Sequence, residues 1–501
     1  MFSTNDTESK RHAVVVGAGP VGCLAALMLA KRGWEVSLYE GRPDPRIPSS
    51  RAANKQRSIN LAISHRGITA IHAIDGSMAE RFMQTAIPMK GRMIHHLNNK
   101  TDSQLYDRDG QCINSIDRGL LNEYFVDQVV ASGNIRVFFQ HKVLTVDFDS
   151  KKMIFENTIS GGNTTASFDF CVGADGSYSV VRRQIMRVVR MDYQQEYIKH
   201  EYIELKIPAR KDQEGHSDFA LDPNHLHIWP RKSYMLIALP NKDFTFTCTL
   251  FAPSEELDRL DNQDVFSNWF KSNFPDALQA IGEKNLTNDF THNPRSPLIC
   301  TKSNPYHYKD RAILLGDAAH SMVPFYGQGL NCGLEDVRIL DVLLSQESVT
   351  STVSKRMADR EDERLHRALT RYSQERHQDL LAINELAMAN YVEMRHLVTT
   401  PIYLARKALD NWLYKLSSPQ YRPLSYLNAL LSTKLYDENE PKGWLPLYTL
   451  VTFRPDISYD TVRRTVAKQS AILTGVGYFG AATLIGVAGV WMSFATRSRY
   501  R

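Results

Sequence analysis

Three features that would point to other classes of protein are scarce in this sequence. The six cysteines stand far apart and form no CxxC pair, which argues against a zinc site or a disulfide framework and indicates a reducing compartment. The net charge of +5 is spread out without a long basic block, so nucleic-acid binding is not indicated. The polar N-terminus, MFSTNDTESKRH, has no apolar core of the kind that a secretory signal needs.

The composition is that of an ordinary globular protein, with 43% hydrophobic and 23% charged residues. A chain of 501 residues exceeds what one simple hydrophobic core usually holds, so two packed domains are expected. No metal site is predicted, because His225 and His227 alternate on one predicted strand without a third ligand nearby.

The C-terminal end is the one long apolar stretch. No charged residue stands between Lys468 and Arg497, and Ala471–Ala495 is almost entirely apolar or small. About 20 such residues suffice to span a bilayer, and glycine is tolerated there. The pattern predicts a transmembrane anchor over 471–495, with a buried core helix as the alternative.

The strongest local motif is GAGPVG, from Gly17 to Gly22. An apolar run precedes it, a helix-like segment follows, and Glu40 closes the next predicted strand. In such a β-turn-α-β unit Gly17 permits the tight turn and Gly19 allows the backbone to approach a pyrophosphate. Gly22 permits close helix–strand packing, and the acid at Glu40 bonds ribose hydroxyls. The unit predicts nucleotide binding.

Two later motifs also follow predicted strands. The first is GADG at 173–176, which taken alone is as consistent with a simple turn. The second is GDAAH at 316–320, followed by GQGLNCG at 327–333. An acid directly after a strand suits sugar hydroxyls, and a bare helix start suits a flavin ring or a phosphate. His320 is interpreted as structural because it belongs to this motif.

The three motifs in this order resemble the class A flavoprotein monooxygenases, which share the fold of p-hydroxybenzoate hydroxylase. The resemblance implies an α/β fold with a Rossmann-type FAD-binding domain, an antiparallel-sheet substrate domain and a helical C-terminal region, to which we add the transmembrane helix. The predicted segments are 11–90, 111–185 and 298–345 for FAD, 91–110 and 186–297 for the substrate sheet, 346–364 as a charged loop, and 365–465 as the helical region. The implied cofactor contacts are Gly17, Gly19, Val21, Gly22, Glu40, Ala62, Arg118, Asp175, Asp317, Gly329, Leu330 and Asn331.

Further segments, among them RSINLAISHRG (57–67), NHLHIWPR (224–231), NYVEMR (390–395) and PLYTLVTF (446–453), resemble the kynurenine 3-monooxygenase family. The family's substrate contacts correspond to Arg92, Tyr106, Asn390 and Tyr448. Arginine and tyrosine suit an amino-acid carboxylate and an aromatic ring. Taken alone, the same residues are also consistent with a surface ion pair and core tyrosines.

This resemblance implies hydroxylation of L-kynurenine to 3-hydroxykynurenine with FAD, NADPH and O2 through a flavin C4a-hydroperoxide, in tryptophan degradation and de novo NAD synthesis. No catalytic side chain is predicted, because the flavin carries the chemistry. The implied location is the mitochondrial outer membrane, with the enzyme domain facing the cytosol. The alternatives are a same-fold monooxygenase for a membrane-borne ring or isoprenoid, and a non-catalytic escort protein.

Overall fold

The structure is a computed structural model of the whole chain, and it describes residues 8–50, 60–211, 213–354, 360–417, 435–436, 441 and 443–475. Two large sheets and a set of helices make up this described part. Buried side chains of the first sheet and of most helices form one large hydrophobic cluster, and a second cluster lies between the other sheet and the helices of residues 254–292.

The central sheet has six strands. Neighbouring strands run parallel except for the pair at one edge, which is antiparallel. In spatial order the strands are His307–Tyr308, Ala312–Leu314, Phe170–Gly173, His12–Val16, Glu35–Tyr39 and Ile135–Phe138. Their near-continuous burial is typical of parallel strands covered on both faces. The covering helices and those nearby are Pro20–Lys31, His65–Ile74, Gly76–Met83, Arg118–Ala131, Val180–Ile185, Asp317–His320 and Gly329–Gln346.

The second sheet has seven strands and is antiparallel except between His225–Arg231 and Gly91–His95, which run parallel. In spatial order the strands are Ser296–Asn304, Asp192–Ile207, Phe246–Pro253, Tyr234–Pro240, His225–Arg231, Gly91–His95 and Thr101–Leu105. The helices of this part are Ser254–Arg259, Gln263–Asn273, Pro275–Ile281 and Glu283–His292. The central strands Tyr234–Pro240 and Phe246–Pro253 are buried over most of their length, and Ile237, Leu239 and Phe251 on them line the cavity described below.

Four smaller pairings complete the strands. One three-stranded sheet contains His141–Asp147, Lys152–Asn157 and Asn163–Ser167. A second contains Leu61–Ile63, Ile113–Ile116 and Ile87–Met89. Two-stranded ribbons pair Arg210–Lys211 with Ser217–Asp218, and Glu8–Lys10 with Thr352–Ser354. The strand Thr352–Ser354 of the second ribbon lies within the predicted charged loop 346–364, so part of that segment is paired with the N-terminal strand.

The C-terminal region is helical, with Glu363–Arg395, Pro401–Ser417, Leu447–Phe453, a helix over 459–475 and a short 3-10 turn at Leu397–Thr399. Another 3-10 turn, Pro324–Tyr326, precedes the helix Gly329–Gln346. The helix Glu363–Arg395 is here called the long helix. Asp362 caps its N-terminus, and the Asp362 carboxylate accepts hydrogen bonds from the first-turn amides of Arg364 and Leu365. It packs against the helix Gly329–Gln346 and the second sheet. One element therefore contacts both large units.

The predicted fold class is wrong in including a C-terminal transmembrane helix. Within the described ranges, which stop at residue 475, no helix combines the length and the apolar character that crossing a membrane requires. The last described helix, 459–475, carries Asp460, Arg463, Arg464 and Lys468, and charges of this kind are costly in hydrocarbon. Of the predicted span 471–495, residues 476–495 lie outside the described part of the chain.

Candidate functional site

A large cavity of about 810 Å³ lies between the two sheets and the long helix. Fourteen of the sixteen residues predicted as cofactor or substrate contacts line it. At one end are Gly17, Gly19, Val21, Glu40, Ala62, Arg118, Asp175, Asp317, Gly329 and Leu330, and at the other are Arg92, Tyr106, Asn390 and Tyr448. Gly22 and Asn331 are predicted contacts that lie outside the lining and support it from behind.

The first glycine motif forms a tight strand-to-helix turn at the cavity wall. Gly17 has φ of 104°, and a Cβ there would lie 2.4 Å from the Ala174 carbonyl oxygen. A Cβ at Gly22 would lie 1.9 Å from the Gly17 carbonyl oxygen, so only glycine fits behind the turn. A Cβ at Gly19 would meet nothing within 4 Å, which leaves the bare backbone of the helix start facing open space. This is a cradle suited to phosphate.

Glu40 ends the strand Glu35–Tyr39 beside this turn. Its carboxylate accepts a hydrogen bond from the Ala18 amide at 2.9 Å and another from the Arg42 amide at 2.9 Å. These bonds fix the carboxylate at the cavity wall while leaving acceptor capacity for sugar hydroxyls.

Asp175 lies in the GADG turn between the strand Phe170–Gly173 and the helix Val180–Ile185. Its carboxylate accepts from the Ser179 hydroxyl at 2.5 Å and from the Val180 amide at 2.7 Å. Burial outweighs these bonds and raises the pKa of Asp175 above its ordinary value. The acid thus holds the local turn together as well as lining the cavity.

The third motif brings Asp317 to the cavity, at the start of the short helix that follows the strand Ala312–Leu314. Asn331, in the first turn of the helix Gly329–Gln346, is fully buried and cross-links three segments. Its amide nitrogen donates to the carbonyls of Ala62 and Gly327 at 2.9 and 2.6 Å, and its oxygen accepts from the Ser64 amide at 2.8 Å. The structure therefore uses the Asn331 side chain to fix the cavity wall at Ala62.

At the opposite end, Arg92 is held among aromatic and polar groups. Its guanidinium carbon lies 5.2 Å from the ring centre of Tyr448 and 5.8 Å from that of Tyr106. The two rings stack on each other at 4.4 Å. Arg92 donates to the Asn390 side-chain oxygen at 3.3 Å, and the Asn390 amide donates to the Phe325 carbonyl at 2.7 Å. All four predicted substrate contacts are therefore within one cluster.

Glu393 is a member of this cluster that sequence reasoning missed. It accepts from Arg92 at 2.9 Å and from the Tyr403 hydroxyl at 2.9 Å. Burial opposes the charge on Arg92, but the Glu393 carboxylate and the surrounding tyrosines together outweigh burial and raise the pKa of the guanidinium. The available signal was the spacing, since Glu393 stands three residues after Asn390 and shares its helix face.

The walls between the two ends are largely apolar, and these residues were also missed. They include Leu226, Ile237, Leu239, Phe251, Leu298, Met322, Phe325, Tyr326 and Met394. Aliphatic side chains on strands of the second sheet are typical of any sheet core, so the sequence offered no signal that they face a cavity. The cavity is thus polar at both ends and apolar between them.

Behind the cofactor end lies a buried network of charges on three helices. Arg66 pairs with Glu335 at 2.9 Å, and Arg376 pairs with Glu335 at 2.8 Å and with Asp336 at 2.9 Å. The Asp336 carboxylate also accepts a hydrogen bond from the Gly316 amide at 3.0 Å, which connects the network to the GDAAH turn. Burial opposes ionisation of Glu335, but the arginines outweigh it and keep the pKa of that carboxyl below its ordinary value.

Three buried groups in this network, His320, Cys332 and Asp336, have potential metal-ligand atoms within 4.8 Å of one another. His320 Nε2 lies 2.5 Å from an Asp336 oxygen, and Arg376 donates to the Cys332 sulfur at 3.3 Å. A guanidinium therefore already supplies the positive charge at this place. The group fits an ion-pair network better than a metal centre.

Comparison with known proteins agrees with this geometry. The FAD binding domain family matches residues 10–377. Kynurenine 3-monooxygenase of Cryptococcus neoformans is 44% identical, with 96% of each chain covered. Kynurenine 3-monooxygenase of Yarrowia lipolytica is 41% identical, with 96% of this chain and 97% of the relative covered.

Among solved structures, the tetrameric form of 2-methyl-3-hydroxypyridine-5-carboxylic acid oxygenase superposes with a TM-score of 0.59 at 20% identity. The match covers 79% of this chain and 95% of that one. At this identity the likeness shows a shared fold.

Proposed function

Because this chain belongs to the kynurenine 3-monooxygenase family of FAD-dependent enzymes, we propose how its cavity carries out that family's reaction. The chain is an FAD-dependent monooxygenase that hydroxylates kynurenine. The roles of the residues are assigned from one observation: the same cavity contains two ends of different chemistry. A bare nucleotide cradle lies at one end and an arginine between two tyrosines at the other.

The residues present fit FAD. The bare backbone at Gly19 and the helix start behind it would hold the pyrophosphate, Glu40 the adenosine ribose, and Asp317 the ribitol. Gly329 and Leu330, at the start of the following helix, would face the flavin ring. When bound and reduced, FAD supplies the activation of O2 that no side chain can provide.

At the other end the cluster around Arg92 binds the amino-acid part of the substrate. A guanidinium presents paired donors that match a carboxylate, and the rings of Tyr106 and Tyr448 lie beside it. Asn390 lines the cavity and its side-chain oxygen is an acceptor for the substrate ammonium group, and the Glu393 carboxylate holds Arg92 from outside the lining. This end fixes the amino acid and directs its ring towards the flavin end.

The apolar walls position the aromatic ring and exclude water. Leu226, Ile237, Phe251 and Met322 surround the space between the two ends. The exclusion of water protects reactive intermediates from wasteful side reactions. The amino group on the substrate ring enriches the adjacent carbon in electrons, so the chain needs to orient that carbon and need not supply a nucleophile.

NADPH as the reductant, L-kynurenine as the enantiomer and 3-hydroxykynurenine as the product are parts of the same proposal. The test measures NADPH oxidation by the FAD-loaded protein in air, with and without L-kynurenine, and weighs the product by mass spectrometry. We expect stimulated oxidation and a product heavier by one oxygen atom. A yellow protein whose oxidation kynurenine does not stimulate would contradict the substrate, and stimulation that yields only peroxide would contradict the assigned ring position.

We also propose the mitochondrial outer membrane as the location, with the enzyme facing the cytosol, on the strength of the family resemblance alone. Protease treatment of intact mitochondria tests it. Degradation of the protein without rupture of the outer membrane is the expected result, and recovery of the protein only in the matrix or in another organelle would contradict it.

A further inference from the structure

A second cation stands behind the Arg92 cluster. Lys407 lies on the helix Pro401–Ser417, one turn after Tyr403, and its ammonium group is 3.3 Å from the Gln104 side-chain oxygen. Gln104 is buried and pairs in register with Arg92 across the neighbouring strands. Lys407 is therefore held by a residue on the strand next to Arg92.

The charged groups facing Lys407 come from each element around it. They are Arg92 on the strand Gly91–His95, Asp102 on the next strand, and Glu393 on the long helix. Tyr403 on its own helix donates to the same Glu393 carboxylate. Asp102 is exposed, so water screens its charge more than that of the buried groups.

The balance of these charges matters for an anionic ligand. Arg92 and Glu393 form a direct ion pair and nearly cancel each other at a distance. With Lys407 protonated, the cluster of three carries one net positive charge, and with Lys407 neutral it carries none. An attraction for a substrate carboxylate beyond the local hydrogen bonds therefore depends on Lys407.

We propose that Lys407 is a positioning residue that sets the affinity for the substrate carboxylate. Its positive charge offsets the negative charge of Glu393, so that the positive charge of Arg92 remains available to attract the ligand. This role rests on the proposed function. It assigns to Lys407 no contact with the substrate or with the flavin.

The role makes substrate binding depend on pH. Burial, followed by the repulsion from Arg92, lowers the pKa of Lys407 to about 8. The ammonium form is present below this value and is lost as the pH rises above it. Affinity for the carboxylate should therefore be highest below pH 8 and fall above it, while the rate at saturating substrate stays unchanged.

The experiment compares the wild type with K407M and K407R between pH 6.5 and 9.5. For each we would measure the Kd of L-kynurenine by calorimetry together with KM and kcat. K407M should bind about five- to tenfold more weakly below pH 8, as expected for one lost charge at short range, with kcat retained. K407R, which does not titrate in this range, should keep tight binding to a higher pH than the wild type.

Two controls separate this role from others. R406M removes the adjacent, exposed arginine of the same helix, which lies 3.9 Å from Asp410, and should leave Kd and its pH dependence unchanged. A loss of affinity at high pH that K407R shares is due to the substrate amine. If K407M is too unstable to measure, the difference between wild type and K407R across pH 8 decides the question.

Equal Kd values and identical pH profiles for wild type, K407M and K407R would overturn the role of Lys407 while leaving the proposed function intact. If the wild type itself fails to bind kynurenine at any pH, the proposed function and this role fall together. A K407M variant that lowers kcat as much as it raises KM would also contradict the role, because it would place Lys407 in the chemical step.

Discussion

The two ends of the cavity are built in different ways. At the cofactor end the contacts come mainly from the backbone at short motifs, each folding locally at a strand end, as at Gly17–Gly22 and Gly316–His320. At the substrate end they come from side chains far apart in sequence, and the hydrogen-bonded pair Arg92 and Asn390 are 298 residues apart. The cofactor end therefore depends on the shape of the main chain, and the substrate end on the charge and chemistry of individual side chains.

The largest effect should follow from disturbing the backbone at the cofactor end. G22A would place a methyl group 1.9 Å from the Gly17 carbonyl oxygen, and the turn has to shift to admit it. We expect a protein that is mostly insoluble or colourless, measured by yield and by the flavin absorbance. The matched variant G19A has open space around the added methyl group. It should fold normally and bind FAD more weakly, and equal behaviour of the two variants would contradict the different roles of these glycines.

The next largest effect concerns the buried charges that support the cofactor end. R376M removes the buried guanidinium that pairs with both Glu335 and Asp336, and breaking a buried ion pair from one side costs about 3–5 kcal/mol. Thermal unfolding should show a large drop in Tm. R371M removes a half-exposed partner of Glu347 on the same helix and should cost no more than about 1 kcal/mol. A small loss in R376M would show that the network relaxes without it.

At the substrate end the comparison predicts a loss of binding without a loss of fold. R92M removes the guanidinium that faces both tyrosines. Loss of charge-assisted hydrogen bonds of this kind should raise KM roughly ten- to hundredfold. Flavin content should stay at the wild-type level. The double variant R92M/E393Q removes the stranded carboxylate as well and should restore stability without restoring affinity. Loss of FAD in R92M would show that the two ends are not independent.

The smallest effect should come from a single hydroxyl. Y448F keeps the ring that stacks on Tyr106 and lies beside Arg92, so only a donor is lost. We expect a few-fold rise in KM, corresponding to about 1 kcal/mol. Y448A removes the ring as well and should have the larger effect. If Y448F matches Y448A, the hydroxyl and not the ring carries the interaction.

The same difference explains how much the sequence could predict. Glycine spacing and the acid at Glu40 report local backbone geometry, so the cofactor end and the order of its elements could be read directly. The residues of the substrate end were placed only through family resemblance, because no local pattern relates Arg92 to Asn390. Glu393 was missed although it lies three residues after Asn390, because a glutamate on a helix face is usually solvated.

Asn331 shows the limit of reading roles from motifs. Gly22 packs closely behind the turn, as its place in the motif predicted, whereas the Asn331 side chain bonds three backbone groups at the wall. The predicted transmembrane helix shows another limit. Apolar composition and length led to it, while no helix among the described residues, which end at 475, is long and apolar enough to cross a membrane.

The long helix also limits how such a chain can change in evolution. Its 33 residues extend about 50 Å, with Arg376 in the buried network near the middle and Asn390 and Glu393 at the substrate end. An exchange of this helix between relatives would replace the packing of the cofactor domain together with the pocket. Substrate preference is thus inherited jointly with the scaffold, and new specificities arise more readily by point substitution in the last two turns than by swapping a module.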